Sequence, residues 1–283
     1  MQRQGFSQIA TLAVLVVALG YLAWLGWGLL PGQSASQVGF DGERALLLAR
    51  AQCEAGPRPA GSAADWALGD TIAEVLTQAG WKIAVQDYAV DNLQLRNIVA
   101  MAGNSGPLLV IATHYDSSRG GGAGETALLL ELARSLDIKK LDHRVWLLFL
   151  DGETAPNWPE TSGAPNFIAV RHPAAVIYLN QLGGGEPIRQ VADANKLLQR
   201  HLWSDARRLH SEDWFVDELG QSENDAMTVF VQAGIPAVKL TQSSAADACD
   251  TLQEAPLQAV GTLLESYLEN NHFLSIATSL AGE

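Results

Sequence analysis

The segment PLLVIATHYDSSRGGGAGETALLLELAR, residues 107–134, decides the fold. Its first seven residues are an apolar, β-branched run, the pattern of a strand buried on both faces. From residue 123 the apolar residues recur at helical spacing through about residue 136, so a helix follows. Between the two lie His114 and Asp116, then Gly120, Gly121 and Gly122. A strand, a polar tip, a glycine loop and a helix make one unit of an α/β fold. In such folds ligands collect at the carboxyl ends of the strands.

Working outward, the same alternation recurs. Helical patterns cover 41–54, with Leu46, Ala49 and Cys53 on one face, and 62–79, with Trp66, Ile72, Val75 and Leu76. WKIAVQDYAV (81–90) and LQLRNIVAM (93–101) read as two strands joined at Asp91-Asn92. RVWLLFL (144–150) and AAVIYLN (174–180) are further buried strands, and IPAVKL (235–240) is a last short one. Helices are expected at about 192–208, 222–232 and 254–276. The expected fold is α/β, a mostly parallel central sheet flanked by helices in a three-layer sandwich. Polar residues at or just after strand ends are the candidate site: His114, Asp116, Asp151, Glu153 and Asn180.

Ahead of this domain, residues 9–30 form an uncharged run, IATLAVLVVALGYLAWLGWGLL. At ~1.5 Å per residue it spans the ~30 Å core of a bilayer as a transmembrane helix. Tyr21, Trp24 and Trp27 stand toward its C-terminal half, where an aromatic belt falls. It is longer than the ~7–15-residue apolar core of a cleaved signal peptide. Arg3 and the terminal amine precede it and no basic residue follows before Arg44, which places the N-terminus in the cytoplasm and the domain outside. The expected organisation is a cytoplasmic N-terminus (1–8), an anchor (9–30), a linker (31–40) and a domain (41–283), periplasmic or otherwise extracytoplasmic.

The chain has 283 residues, 48% of them hydrophobic and 17% charged, as in a globular protein. A formal net charge of −13 argues against nucleic-acid binding, which needs a basic face for phosphates. Two cysteines, Cys53 and Cys249, are a pair in an oxidising compartment or two separate buried thiols; their spacing leaves both open. Trp203, Trp214 and Phe215 form a candidate exposed aromatic patch for an interface, against core packing for at least one of them.

Several motifs carry a resemblance. GPRPAGS (56–62), the apolar strand running into HYDS (114–117), LLELAR (129–134), FLDGE (149–153), DGETAPNW (151–158) and GIPAVKL (234–240) occur together and in order. From about residue 41 to the C-terminus the chain resembles the zinc aminopeptidases of metallopeptidase family 28, which include glutaminyl cyclases. The resemblance implies the zinc exopeptidase fold. It also implies a ligand set: a His, a bridging Asp, a Glu, a further Asp and a second His for two zincs, of which glutaminyl cyclases use the bridging Asp, the Glu and the last His for one. An additional Glu serves as general base.

Carried over by position, the first His is His114, with Asp116 in the role of orienting it, and the general base is Glu153. The bridging Asp falls on Gly121, ten residues before Glu131. The ligand Glu falls on Thr154 and the further Asp on Asn180. The last His, anchored on Asp250-Thr251-Leu252, falls on Ala246. The family's Asp-His ahead of Gly-Ile-Pro has become Ala226-Met227. Structural zinc binding, worth ~10–16 kcal/mol, needs several ligands together, which one imidazole does not supply. The resemblance therefore implies a pseudoenzyme with no metal and no cofactor, in which His114, Asp116 and Glu153 are vestigial and Arg119 is a candidate replacement for the lost cationic charge. Its expected role is protein–protein interaction within a membrane complex. The alternative is a zinc-dependent aminopeptidase or glutaminyl cyclase with a rearranged metal site. A third reading is a module holding a peptide N-terminus in the old cleft.

Overall fold

The computed structural model describes residues 39–118, 121–220, 223–242 and 249–280. Helices α1 (Gly42–Ala55) and α2 (Ala63–Gln78) come first, each opened by a side-chain cap from Asp41 or Ser62. Strands β1 (Lys82–Val90) and β2 (Leu93–Ala102) form the expected hairpin, with Asp91 in the left-handed region at its turn. Then follow β3 (Leu108–His114), α3 (Ala123–Ser135), β4 (Arg144–Leu150), α4 (Gly163–Val170) and β5 (Ala175–Asn180). Beyond them lie β6 (Ile188–Gln190), α5 (Lys196–Arg208), β7 (Phe215–Leu219), α6 (Ala226–Gln232) and β8 (Ala237–Thr241). Helices α7 (Glu254–Glu269) and α8 (Leu274–Leu280) end the described chain.

The main sheet has the order β1-β2-β4-β3-β5-β8. It is mixed: β4, β3, β5 and β8 run parallel, whereas β2 is antiparallel to both β1 and β4. The hairpin turn accounts for the β1–β2 pair, because a two-residue connection can only return the chain antiparallel. Every residue of β3 is buried, as its unbroken apolar run requires. Helix α3 lies on the sheet with Leu128, Leu129 and Leu132 fully buried, each stabilising by ~1.5–3 kcal/mol relative to exposure. It packs with α1 and α7; α4 and α6 form a second group.

Three differences from the sequence reading have local causes. Helix α4 begins Gly-Ala-Pro and looks like loop, yet Ser162 caps it and proline is tolerated in a first turn. The pair β6–β7 is too short to show a period. The single helix expected over 254–276 is two, broken at Asn270–Phe273 with Asn271 in the left-handed region.

Trp203 and Phe215 are buried and meet edge to face at 5.6 Å, and the Trp203 indole donates to the Val216 carbonyl at 3.0 Å. Trp214 is half-buried and packs against the core, so these residues take the core packing expected for at least one of them and form no exposed patch. The expected anchor at 9–30 lies outside the described residues; among those described, no helix is long and apolar enough to cross a membrane. Cys53 and Cys249 are joined in a disulfide, Cα atoms 5.7 Å apart, which resolves the alternative left open by their spacing.

Candidate active site

Because β3, β4, β5 and β8 are parallel and in register, with His114 opposite Leu150 and Asn180 opposite Thr241, their carboxyl ends form one edge. The chain leaves β3 for β4 on one side, then crosses to β5 on the other, so this edge contains a topological switch point. His114, Asp116, Glu153, Thr154 and Asn180 all lie along it.

Asp116 is fully buried and is held by the segment after β4. Its Oδ2 accepts from the Thr154 amide at 2.7 Å and the Thr154 hydroxyl at 2.6 Å; its Oδ1 accepts from the Glu153 amide at 3.2 Å. Burial alone would raise the carboxyl's pKa, but His114 and the Thr154 donors outweigh it and hold the group below the ordinary aspartate value. Thr154, at the position the resemblance gives to a ligand glutamate, is thus a donor to Asp116.

His114 Nδ1 lies 3.0 Å from the Asp116 carbonyl and 3.7 Å from Asp116 Oδ1. Its Nε2 faces Glu125 Oε1 at 3.9 Å. Burial pulls the imidazole pKa down, yet the hydrogen bond and charge of Asp116, with Glu125 and Glu153 beyond, push it up to about 10. Both ring nitrogens face acceptors, which suits an imidazolium. Glu125, in the first turn of α3, is fully buried and also accepts from the Gln181 and Leu182 amides at 3.1 and 3.5 Å.

Glu153 is clamped by three donors. Ser162 Oγ (2.6 Å) and the Gly163 amide (3.2 Å) reach Oε1, and the Trp158 indole reaches Oε2 at 3.0 Å. Burial raises its pKa most, and the negative charge of Asp116 adds to this against the Ser162 and Trp158 bonds; the result is about 7. A carboxyl poised there has the ordinary strength of a general base at neutral pH.

The glycine loop is shaped by the neighbouring backbone. Gly122, at φ 70°, would place a Cβ 3.1 Å from the His114 ring. At Gly124 a Cβ would fall 2.1 Å from the Leu182 carbonyl, so only glycine lets α3 start this close to the end of β5. Arg58, from the GPRPAGS motif, is buried and donates to the Tyr115 and Gly121 carbonyls at 2.8 and 2.7 Å. Gly121, at the position the resemblance gives to the bridging Asp, therefore contributes a carbonyl to an internal arginine. Asn180, at the position the resemblance gives to the further Asp, donates to Asp225 Oδ2 at 3.3 Å.

Among the described residues, no group of three or more His, Cys, Asp or Glu is arranged to hold a metal ion. Arg119 and Ala246 lie outside the described residues. The structure thus brings His114, Asp116, Glu153 and Thr154 together, with Gly121 and Asn180 farther along the edge. Sequence reasoning missed Glu125, Arg58, Asp225 and the donors Trp158 and Ser162. Arg58 and Trp158 stood inside motifs already singled out; Glu125 had no signal beyond its place in a first helical turn.

No family model and no curated protein sequence matches the chain. Solved structures do. Glutaminyl cyclase from Porphyromonas gingivalis superposes with a TM-score of 0.74 at 22% identity, over 84% of this chain and 100% of that one. A Zn-dependent exopeptidase from Parabacteroides distasonis gives 0.73 at 20% identity, over 83% and 100%. A leucine aminopeptidase precursor from Bacteroides thetaiotaomicron gives 0.72 at 20% identity, over 82% and 98%. The chain has the fold shared by these glutaminyl cyclases and zinc exopeptidases, as the resemblance implied.

Proposed function

We propose that this chain is a degenerate, metal-free relative of the glutaminyl cyclases and zinc aminopeptidases, whose peptidase-like domain serves protein–protein interaction as a subunit of a membrane complex. One observation carries the reading: the polar groups at the strand ends are engaged with one another. Thr154 donates to Asp116, His114 lies between Asp116 and Glu125, and Glu153 is clamped by Ser162, Trp158 and Gly163. A zinc site needs several converging lone pairs and an open position for water. The residues at Gly121, Thr154 and Asn180 contribute a carbonyl tied to Arg58, a hydroxyl donor and an amide donor. This donor set does not fit zinc.

Residues 9–30 supply the anchor in this reading, with the N-terminus cytoplasmic. The Cys53–Cys249 disulfide supports an extracytoplasmic domain, since such bonds persist in oxidising compartments. The experiment is metal analysis of the full-length protein purified from membranes in mild detergent, after dialysis, with the co-purifying proteins identified. The expected result is well below one zinc per chain, no chelator-sensitive release of N-terminal residues or cyclisation of N-terminal glutamine, and a stoichiometric partner. About one zinc per chain surviving dialysis overturns it.

The second reading, a zinc-dependent aminopeptidase or glutaminyl cyclase with a rearranged metal site, is favoured by one observation. Glu153 keeps the position and the near-neutral pKa of a general base. The same metal analysis separates the two.

A further inference from the structure

Lys239 carries a charge in a place where charge is expensive. It lies in β8 opposite Tyr178 of β5, and is 1% exposed. Its Nζ is 2.7 Å from Asp225 Oδ2 and 3.5 Å from the Glu223 carbonyl. Asp225 is itself the cap of α6, accepting from the Met227 amide at 3.0 Å on Oδ1. Its Oδ2 also receives the Asn180 amide. One carboxylate thus binds the end of β5, the start of α6 and the ammonium of β8.

An apolar side chain at position 239 would fill this space without desolvating an ammonium, an exchange often neutral or stabilising when both charges of a pair are removed. The ammonium instead shares Asp225 Oδ2 with the side chain of Asn180, the position that the resemblance gives to a metal-binding carboxylate. We propose that Lys239 is a built-in cation, holding Asp225 and the ends of β5 and β8 together in the charge role that a bound metal ion plays in zinc-dependent proteins of this fold. His114, between Asp116 and Glu125, answers the carboxylates at the other end of the same edge. The inference rests on the metal-free reading above and goes beyond it by naming what replaces the metal.

The test uses the full-length chain in three forms, wild type, Lys239→Met and Asp225→Asn/Lys239→Met, melted with and without added zinc chloride. Breaking the buried pair in Lys239→Met is expected to lower the midpoint by roughly 10 °C. The double variant, which has no buried charge left unpaired, is expected to recover most of that loss. Zinc is expected to leave all three midpoints unchanged, because Asp225 without Lys239 is a lone carboxylate and zinc needs several ligands together. A single variant that melts like wild type, or a double variant no more stable than the single, overturns the assignment. If Lys239→Met does not fold, the double variant still decides: it must fold and melt close to wild type. Zinc bound stoichiometrically by wild type would instead overturn the metal-free reading itself.

Discussion

The Cys53→Ser/Cys249→Ser variant tests how the fold holds the segment that leads into α7. The disulfide joins residues 196 apart in sequence, from the last turn of α1 to the chain just before α7. In the chain-entropy treatment a loop of that length removes about 18 cal/mol/K from the unfolded state, or about 5 kcal/mol at 25 °C. Loss of a native disulfide costs ~2–5 kcal/mol in practice, so for a domain of this size the midpoint should fall by on the order of 10 °C. There is a local component as well. Three residues past Cys249, Leu252 is buried, with Gly124 and Gly183 beneath it, and the Gln253 amide donates to the Gly183 carbonyl at 2.7 Å. Denaturant melts of oxidised wild type, reduced wild type and the double-serine variant give the global term. Hydrogen exchange at 249–253 gives the local one. Reduced wild type and the variant should coincide, both below the oxidised protein, with faster exchange in this segment. Midpoints equal to oxidised wild type would refute the argument, because the cross-link would then constrain nothing that unfolding releases.

Two further predictions concern charge. His114 has a folded pKa raised to about 10 against an ordinary 6.5, so its stabilisation is complete below pH 6.5 and is lost as pH rises through about 10. Glu153, raised from 4.5 to about 7, likewise favours folding most below pH 4.5 and loses that contribution as pH rises through 7. His114→Gln should therefore destabilise the protein clearly at pH 6 and much less at pH 10.5. Equal losses at the two pH values would show that the imidazolium is not what stabilises. Restoring Asp at Gly121, Glu at Thr154 and His at Ala246 should create a zinc site by the one-zinc pattern, even with poor turnover. Calorimetry with zinc should show stoichiometric binding, and its absence would mean that the positions are misassigned.

Residues 107–134 show how much was legible along the chain. An unbroken apolar run becomes the buried β3, a helical period becomes α3, and the polar residues between them fall at the strand end. Such features depend on near neighbours: side-chain period, turn chemistry and caps are set within a few residues. The same locality placed His114, Asp116 and Glu153 at strand tips, and the resemblance added Gly121, Thr154 and Asn180 as the positions it gives to metal ligands. Tertiary structure alone decided which groups answer one another: Cys53 with Cys249, Glu125 with the far nitrogen of His114, Arg58 with the Gly121 carbonyl, and Lys239 with Asp225. It also put both Trp203 and Phe215 in the core, where the residue types point to core packing for at least one aromatic of the three. The reason is physical. A buried charge or thiol takes its partner from whatever element packs against it, and that element can lie anywhere in the sequence.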